Sequence, residues 1–301
     1  MLKRLLKPVY KLTHDLIFAT AFINPLFKKT HAGKKVVKGF IGDEHLSNPK
    51  LDDELEYLLA ESKINVKRHN INIESYHKYI AAAKYPQSYY GGGTDPENNF
   101  IEKSLEHYVT TELVTLSHET VFMDVAACTS PFSDIVKNLF GVKTSYQQDL
   151  VYEKGIHGNK IGGYAHETGL PSNSIDVITL HCSLEHFEGN SDELFFAEVN
   201  RLLKPGGQCI ILPFYFAHTY TIHVDPAFNL LRNHHPVIDE AAQLRYCNWY
   251  QFHSRHYDVA QLKKRIINQM PSCSVTLHRV MNFRDVDARC YLRWILEIRK
   301  N

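Results

Sequence analysis

The densest run of side chains able to move a proton is residues 181–186, His-Cys-Ser-Leu-Glu-His. A neutral histidine is a competent general base near pH 7, and an adjacent carboxylate can fix its orientation. His186 and His181 are the candidate bases, with Glu185 as the orienting acid. The plain alternative is that the Glu-His pair caps a helix or holds a loop. Tyr215, His218 and Tyr220 form a second polar run further on. Metal chemistry finds no pattern. His181 with Glu185-His186 has one residue too many for a His-x-x-Glu-His zinc site, and His218, His223, Asp225 and His234-His235 lack ligand spacing. No metal is expected. Cys128, Cys182 and Cys209 read as core residues at strands or their tips, and nothing in the sequence supports a Cys182 nucleophile.

These residues need a scaffold, and residues 174–214 supply its clearest piece. Ile175, Val177, Ile178 and Leu180 make a short apolar run, as in a strand covered on both faces. Ser191 is placed to cap a helix, with Asp192 and Glu193 in its first turn. Leu194, Phe195, Val199, Leu202 and Leu203 recur at helical spacing. Lys204-Pro205-Gly206-Gly207 stops the helix, and 209–213 reads as another buried strand. Strand, helix and strand joined so tightly make a βαβ unit of a parallel sheet. Sites in such sheets lie beyond the carboxyl ends of the strands, which is where 181–186 and 215–220 fall.

The same stretch resembles the fourth-to-fifth-strand segment of class I S-adenosylmethionine (SAM) dependent methyltransferases. The residues carrying the likeness are Ile175-Asp176, Leu184-Glu185-His186, Glu198, Arg201, Leu203 and Lys204-Pro205-Gly206-Gly207. The likeness extends over residues 121–214 and is similar to an uncharacterised bacterial branch associated with glycan assembly. It implies an α/β fold: a Rossmann-like, doubly wound, seven-stranded, mostly parallel sheet with an antiparallel last strand. The tail fits, since 274–283 and 291–298 read as a closing pair of strands. It implies SAM as cofactor, with Asp124, Ala126, Cys128, Ser130, Asp149, Tyr164, Ala165 and His181 around it.

The glycine loop after the first core strand departs from that family. Residues 121–125 read as the strand, but the three glycine positions hold Ala126, Cys128 and Ser130. All are small, so a ligand can still approach, yet a positive φ becomes costly at each. Ser130-Pro131 then starts a helix over 132–139, and 142–150 reads as the second strand. Asp149 falls near its end, where the family's acidic residue accepts from both ribose hydroxyls; a turn-capping aspartate is the alternative. Tyr164 replaces the family's adenine-binding aspartate, and the Ala165 and His166 amides remain for the adenine edge.

Composition narrows the rest. The apolar share of 44% and aromatic share of 12% suit a globular chain with a core. A formal charge of +1 gives no general attraction to nucleic acid. Six scattered cysteines with no CxxC read as reduced thiols, and the expected location is the cytoplasm. No apolar run is long enough to span a bilayer. There is no GxxxxGK[ST] loop, and the lack of GxGxxG weighs against a nicotinamide oxidoreductase. Residues 1–38 hold nine Lys or Arg against Asp15, nine minus one giving +8. With a partly helical apolar stripe, this segment reads as a peripheral contact for an anionic membrane, or as an arm packed on protein.

The expected segments are a basic arm over 1–45, a helical extension over 46–118 and the methyltransferase-like domain over 119–301. Within the extension, 51–61, 73–83 and 100–116 read as helices, and 85–93 as a tyrosine- and glycine-rich loop. Glu102, Glu106, His107 and Tyr108 would either reach the site or form a solvated face with Tyr108 packed. The aromatic, basic run 245–257 reads as a lid over a small or glycan substrate. The function expected is methyl transfer to oxygen or nitrogen of a small molecule or glycan precursor. The alternative is a binding or scaffold protein that kept the fold and lost turnover, motivated by the missing glycines.

Overall fold

The computed structural model describes residues 2–21, 34, 36–93 and 99–301. Its twelve strands are, in chain order, β1 Val36–Lys38, β2 Asn65–His69, β3 Val121–Val125, β4 Thr144–His157, β5 Lys160–Gly162, β6 Ile175–His181, β7 Leu203–Leu212, β8 Thr221–Val224, β9 Gln243–Tyr246, β10 Ser254–His256, β11 Cys273–Val280 and β12 Trp294–Lys300. They form two sheets, ordered β2-β11-β12-β7-β6-β3-β4-β5 and β1-β9-β8-β10. The chain divides into two compact units, each assembled from separated stretches rather than from consecutive segments. The larger holds Glu56–Leu184, Ser191–Phe214 and Leu262–Asn301; the smaller holds Met1–Leu55, Glu185–Asn190 and Tyr215–Gln261.

In the larger unit β3 lies between β4 and β6, parallel to both, and β7 continues the parallel set. β12 is antiparallel to β7 and to β11, as the antiparallel last strand requires. The sheet has eight strands instead of seven, because β2 adds itself parallel to β11. The sequence Asn-Val-Lys-Arg-His shows neither an apolar run nor clean alternation, so no strand was legible there. Charged side chains on such a strand suit an edge, where they discourage further pairing. The core packs Phe122, Phe132, Ile135, Val136, Val177, Ile210 and Leu212 together with Leu105, Tyr108 and Val109 of the helix Phe100–Leu113.

The motif residues of 174–207 turn out to be scaffolding. Asp176 accepts from the Val121 amide at 2.8 Å and from Lys204 Nζ at 2.7 Å, which locks β3, β6 and the start of β7 together. Arg201 grips Glu198 with two bonds of 2.7 Å, and Glu198 also accepts from the Thr168 hydroxyl at 2.6 Å. Gly206 adopts φ 79°, which favours glycine. A Cβ on Gly207 would stand 2.9 Å from the Lys204 carbonyl oxygen and 3.0 Å from that of Asp176, so only a bare backbone fits.

In the smaller unit β1 is parallel to β9 and β9 to β8, while β10 is antiparallel to β8. Phe18 and Ala21 join Tyr220, Ile222, Val224, Leu244 and Tyr246 in its core. The helix Leu2–Thr20 is pinned by buried His14, whose Nε2 lies 2.8 Å from Asp225 Oδ2. Asp225 also accepts from the Phe228, Trp249 and Tyr250 amides. Of the basic residues in 1–38, Lys28, Lys29 and Lys35 lie outside the described residues. The run 245–257, expected as a lid, instead builds β9 and β10; Arg245, His253, Arg255 and Tyr257 are buried in this unit. Of its aromatic residues Tyr246 lies on β9, while Trp249, Tyr250 and Phe252 lie between β9 and β10, with Phe252 exposed. No described helix is long and apolar enough to cross a membrane.

Candidate active site

β3 ends in Asp124-Val125, and the chain must then turn sharply to enter the helix Phe132–Phe140. Ala126 does so at φ 54° and Cys128 at φ 44°, both in the left-handed region where glycine is the easy residue. The loop therefore keeps the backbone shape that glycines would give, without the glycines. What holds it is Asp149: one carboxylate oxygen accepts the Cys128 amide at 2.8 Å, the other the Val151 amide at 3.0 Å. Gln148 receives the Ala126 amide at 3.4 Å, and the Ala127 amide donates to the Gln148 carbonyl at 3.0 Å. Tyr152 closes over the outside, its hydroxyl donating to the Cys128 carbonyl at 2.6 Å. Burial, then the Asp149 charge, push that phenol up to about 12. Cys128 itself is exposed, against the expectation of a core thiol, because the turn faces it outward.

The same atoms bear on whether an adenosyl group such as that of SAM fits. A carboxylate has room for about four hydrogen bonds, and Asp149 uses two on backbone amides. Small side chains at 126, 128 and 130 line a left-handed turn at the carboxyl end of the parallel strands. That donor and acceptor set fits the group. Ser130 Oγ receives the Phe132 amide at 3.2 Å, but the N-cap of the helix is Pro131, one residue after the expected Ser130. Ala165 is buried; Tyr164 is 55% exposed with its ring stacked on His166 at 5.2 Å.

On the next strand His181 stands at the tip of β6, Nδ1 3.4 Å from Asp124 Oδ1 and Nε2 3.1 Å from Thr110 Oγ1. Asp124, 1% exposed, also accepts from Thr179 at 2.9 Å, and its Oδ2 has no partner among the described residues. Cys182 follows at φ 45°, a third left-handed residue without glycine, with its thiol 3.0 Å from Glu106 Oε1. The helix Phe100–Leu113 thus lays Glu106, His107 and Thr110 along the strand tips. Glu102, Glu106 and His107 are buried, so the solvated-face alternative is corrected. Their burial could not be read from charge alone, since the helix pattern shows polar residues on both sides. His107 packs on Phe132 at 4.4 Å and meets Tyr85 at 2.8 Å; burial holds it well below the usual histidine range.

Glu185 and His186 belong to the smaller unit, while His181, Asp124, Ala126, Cys128, Ser130, Asp149, Tyr164 and Ala165 belong to the larger. His186 Nδ1 donates to the His253 carbonyl at 2.6 Å, so in the neutral ring Nε2 carries the lone pair. Glu185 is buried, with Oε1 3.7 Å from that nitrogen. A ring held in that tautomer can take a proton.

Residues 123–211 match the family described as "Methyltransferase domain". No curated protein matches the chain. Among solved structures, an S-adenosylmethionine dependent methyltransferase from Mesorhizobium loti is 14% identical, covering 65% of this chain and 98% of that one, with a TM-score of 0.42. The phosphoethanolamine N-methyltransferase 1 of Haemonchus contortus is 11% identical, covering 76% and 48%, with a TM-score of 0.43. At those scores the likenesses carry no conclusion about activity. The matched residues, 123–211, run from β3 through to Ile211 of β7 in the larger unit, and over them the chain is similar to a methyltransferase domain.

Proposed function

We propose that the protein transfers a methyl group from SAM to an oxygen or nitrogen of a small molecule or glycan precursor. The observation that carries this is the turn after β3: left-handed Ala126 and Cys128 clamped by the buried Asp149 carboxylate. A strained turn persists only when its surroundings over-determine it, and such turns gather at functional sites. SAM supplies an electrophilic methyl on a sulfonium. The chain's own work is to hold, orient and exclude water. Asp149, Asp124, Ala126, Cys128, Ser130, Tyr164, Ala165 and His181 are the residues we assign to holding it. Proton removal, where the acceptor needs it, is assigned to His186 or His181; the His253 carbonyl orients His186, and Glu185, expected as the orienting acid, lies on its Nε2 side, where its charge would stabilise the protonated ring. His186 has the better-set ring, and His181 the place at the strand tip. Residues 1–38 are assigned to peripheral contact with an anionic membrane, on the outward Leu12 and Leu16.

Calorimetric titration of SAM is the direct test. Binding by the intact chain is expected, and Asp149→Ala should weaken it by roughly 1–3 kcal/mol, since a charge-assisted acceptor and the turn it clamps are both lost. An absence of binding at millimolar SAM would favour the scaffold alternative. For the base, His186→Ala and His181→Ala are compared by single-turnover methylation, and a wild-type rate removes the residue from the assignment.

A further inference from the structure

The polar face of the helix Phe100–Leu113 carries more charge than holding the fold requires. Glu106 is 0% exposed. Its Oε1 receives Lys103 Nζ at 3.2 Å and the Cys182 thiol at 3.0 Å, while Oε2 has no partner among the described residues. Asp124 repeats the pattern on β3, with Oδ1 used by Thr179 and Oδ2 without a partner among the described residues. Tyr89 is buried, its ring stacked at 5.7 Å on His107, the residue next to Glu106. Tyr291 reaches Lys103 at 3.2 Å and Cys182 at 3.7 Å, placing a second phenol on Glu106's side. Glu102 completes the group; burial, and then Glu106's charge, push its carboxyl well above the usual carboxylate range.

Both open atoms are carboxylate oxygens, which accept and never donate when ionised. A buried ionised carboxylate without a full set of donors is costly, and buried polar atoms left open in a native site call for a partner. The partner that answers the open Glu106 acceptor, with the Tyr291 phenol beside it, is a cationic or N–H-bearing nitrogen.

We propose that Glu106, with Tyr89 and Tyr291 beside it, binds the amine nitrogen of the methyl acceptor while Asp124 stays with the cofactor, which makes this chain an N-methyltransferase of amines. This rests on the SAM-dependent reading above. Glu106 first takes a proton from the bound ammonium. The freed lone pair forms the N–C bond as the C–S bond breaks and its electrons return to sulfur, so the positive charge passes from sulfur to nitrogen. Glu106 is the catalytic residue in this scheme, and Tyr89 and Tyr291 position the nitrogen.

The test uses the full chain, with and without saturating S-adenosylhomocysteine, titrated with n-butylammonium chloride and separately with n-butanol. Binding is read by the shift of the unfolding midpoint and by chemical-shift changes at the Tyr89 and Tyr291 rings. The ammonium is expected to bind and the alcohol not. Glu106→Gln keeps the shape and removes the charge; it should fold and lose roughly tenfold or more in ammonium affinity. Its affinity for S-adenosylhomocysteine should stay that of the wild type. Glu106→Asp, which keeps the charge, should retain part of the binding. Equal response to ammonium and alcohol, no response to either, or full ammonium binding by Glu106→Gln would each overturn the proposal. So would a loss of S-adenosylhomocysteine affinity in Glu106→Gln, which would give the open oxygen to the cofactor's own ammonium. Failure of S-adenosylhomocysteine to bind the wild-type chain counts against the cofactor reading instead, and the titration without it still decides the amine.

Discussion

Ala126 and Cys128 tolerate a backbone that glycine would adopt without strain. A left-handed non-glycine residue costs about 1–2 kcal/mol, while glycine raises the entropy of the unfolded chain by about 0.4–1 kcal/mol. Cys128 is exposed, so trimming it leaves no cavity. Cys128→Gly should therefore leave the unfolding free energy unchanged or raise it by up to about 1 kcal/mol. Ala126→Val, which forces a β-branched side chain to φ 54°, should lower it by roughly 1–3 kcal/mol. Urea unfolding of both variants measures the difference, and a destabilised Cys128→Gly would mean that the thiol holds the turn. The sequence showed the loss of the glycines but not what replaces them. That replacement is Asp149, whose two amide contacts join residues 21 and 2 positions apart. Long-range backbone acceptance of this kind leaves no periodic trace. Likewise, Asp149 was legible as an acid at a strand end, but its clamp on Cys128 was not.

At the scale of elements, the strands with continuous apolar runs were legible and the edge ones were not. β3, β6 and β7 are buried on both faces and announce themselves; β2 has little to bury and is held by β11 alone. The closing pair was legible in kind, though its bounds shifted to Cys273–Val280 and Trp294–Lys300. That pair carries an acid-sensitive tie. Glu297 on β12 meets His278 Nε2 of β11 at 2.8 Å and Gln208 Nε2 of β7 at 3.0 Å. The His278 hydrogen bond, more than any other cause, lowers its carboxyl from 4.5 to about 2. A folded value below the unfolded one means stability that is fully present above the unfolded value and lost as pH falls. The window runs from about 5 down to about 2. Glu297→Gln should be less stable than wild type at pH 7 and should flatten the acid limb of stability against pH across that window. Urea midpoints between pH 2 and 7 would show it, and parallel acid limbs would remove the tie.

Over the whole molecule the charge is unevenly spread. The chain sums to +1 and residues 1–38 to +8, so the remaining residues sum to 1 − 8 = −7. Within the smaller unit the helix Leu2–Thr20 turns His14 and Phe18 inward, and His14 stacks on Tyr250 at 4.1 Å. Its inner face is thereby taken. Leu12 at 72% and Leu16 at 66% exposure lie one turn apart on the outer face, where two leucines have no reason to face water. Lys3, Arg4, Lys7 and Lys11 precede the first acid, Asp15. Apolar side chains beside a basic run suit the boundary of an anionic bilayer, where each part has a partner. The full chain should therefore sediment with vesicles containing anionic lipid and not with neutral ones. Salt should weaken the binding, because charges are screened beyond about 10 Å at 0.1 M. Full burial of a leucine gives about 1.5–3 kcal/mol, so replacing both Leu12 and Leu16 by glutamate should lower vesicle affinity by roughly tenfold or more. The inward contacts of His14 and Phe18 are untouched by that change, so the fold should persist, as circular dichroism would report. Vesicle binding that ignores the two leucines, or none to anionic lipid at low salt, would return this helix to the role of an arm packed on its own unit.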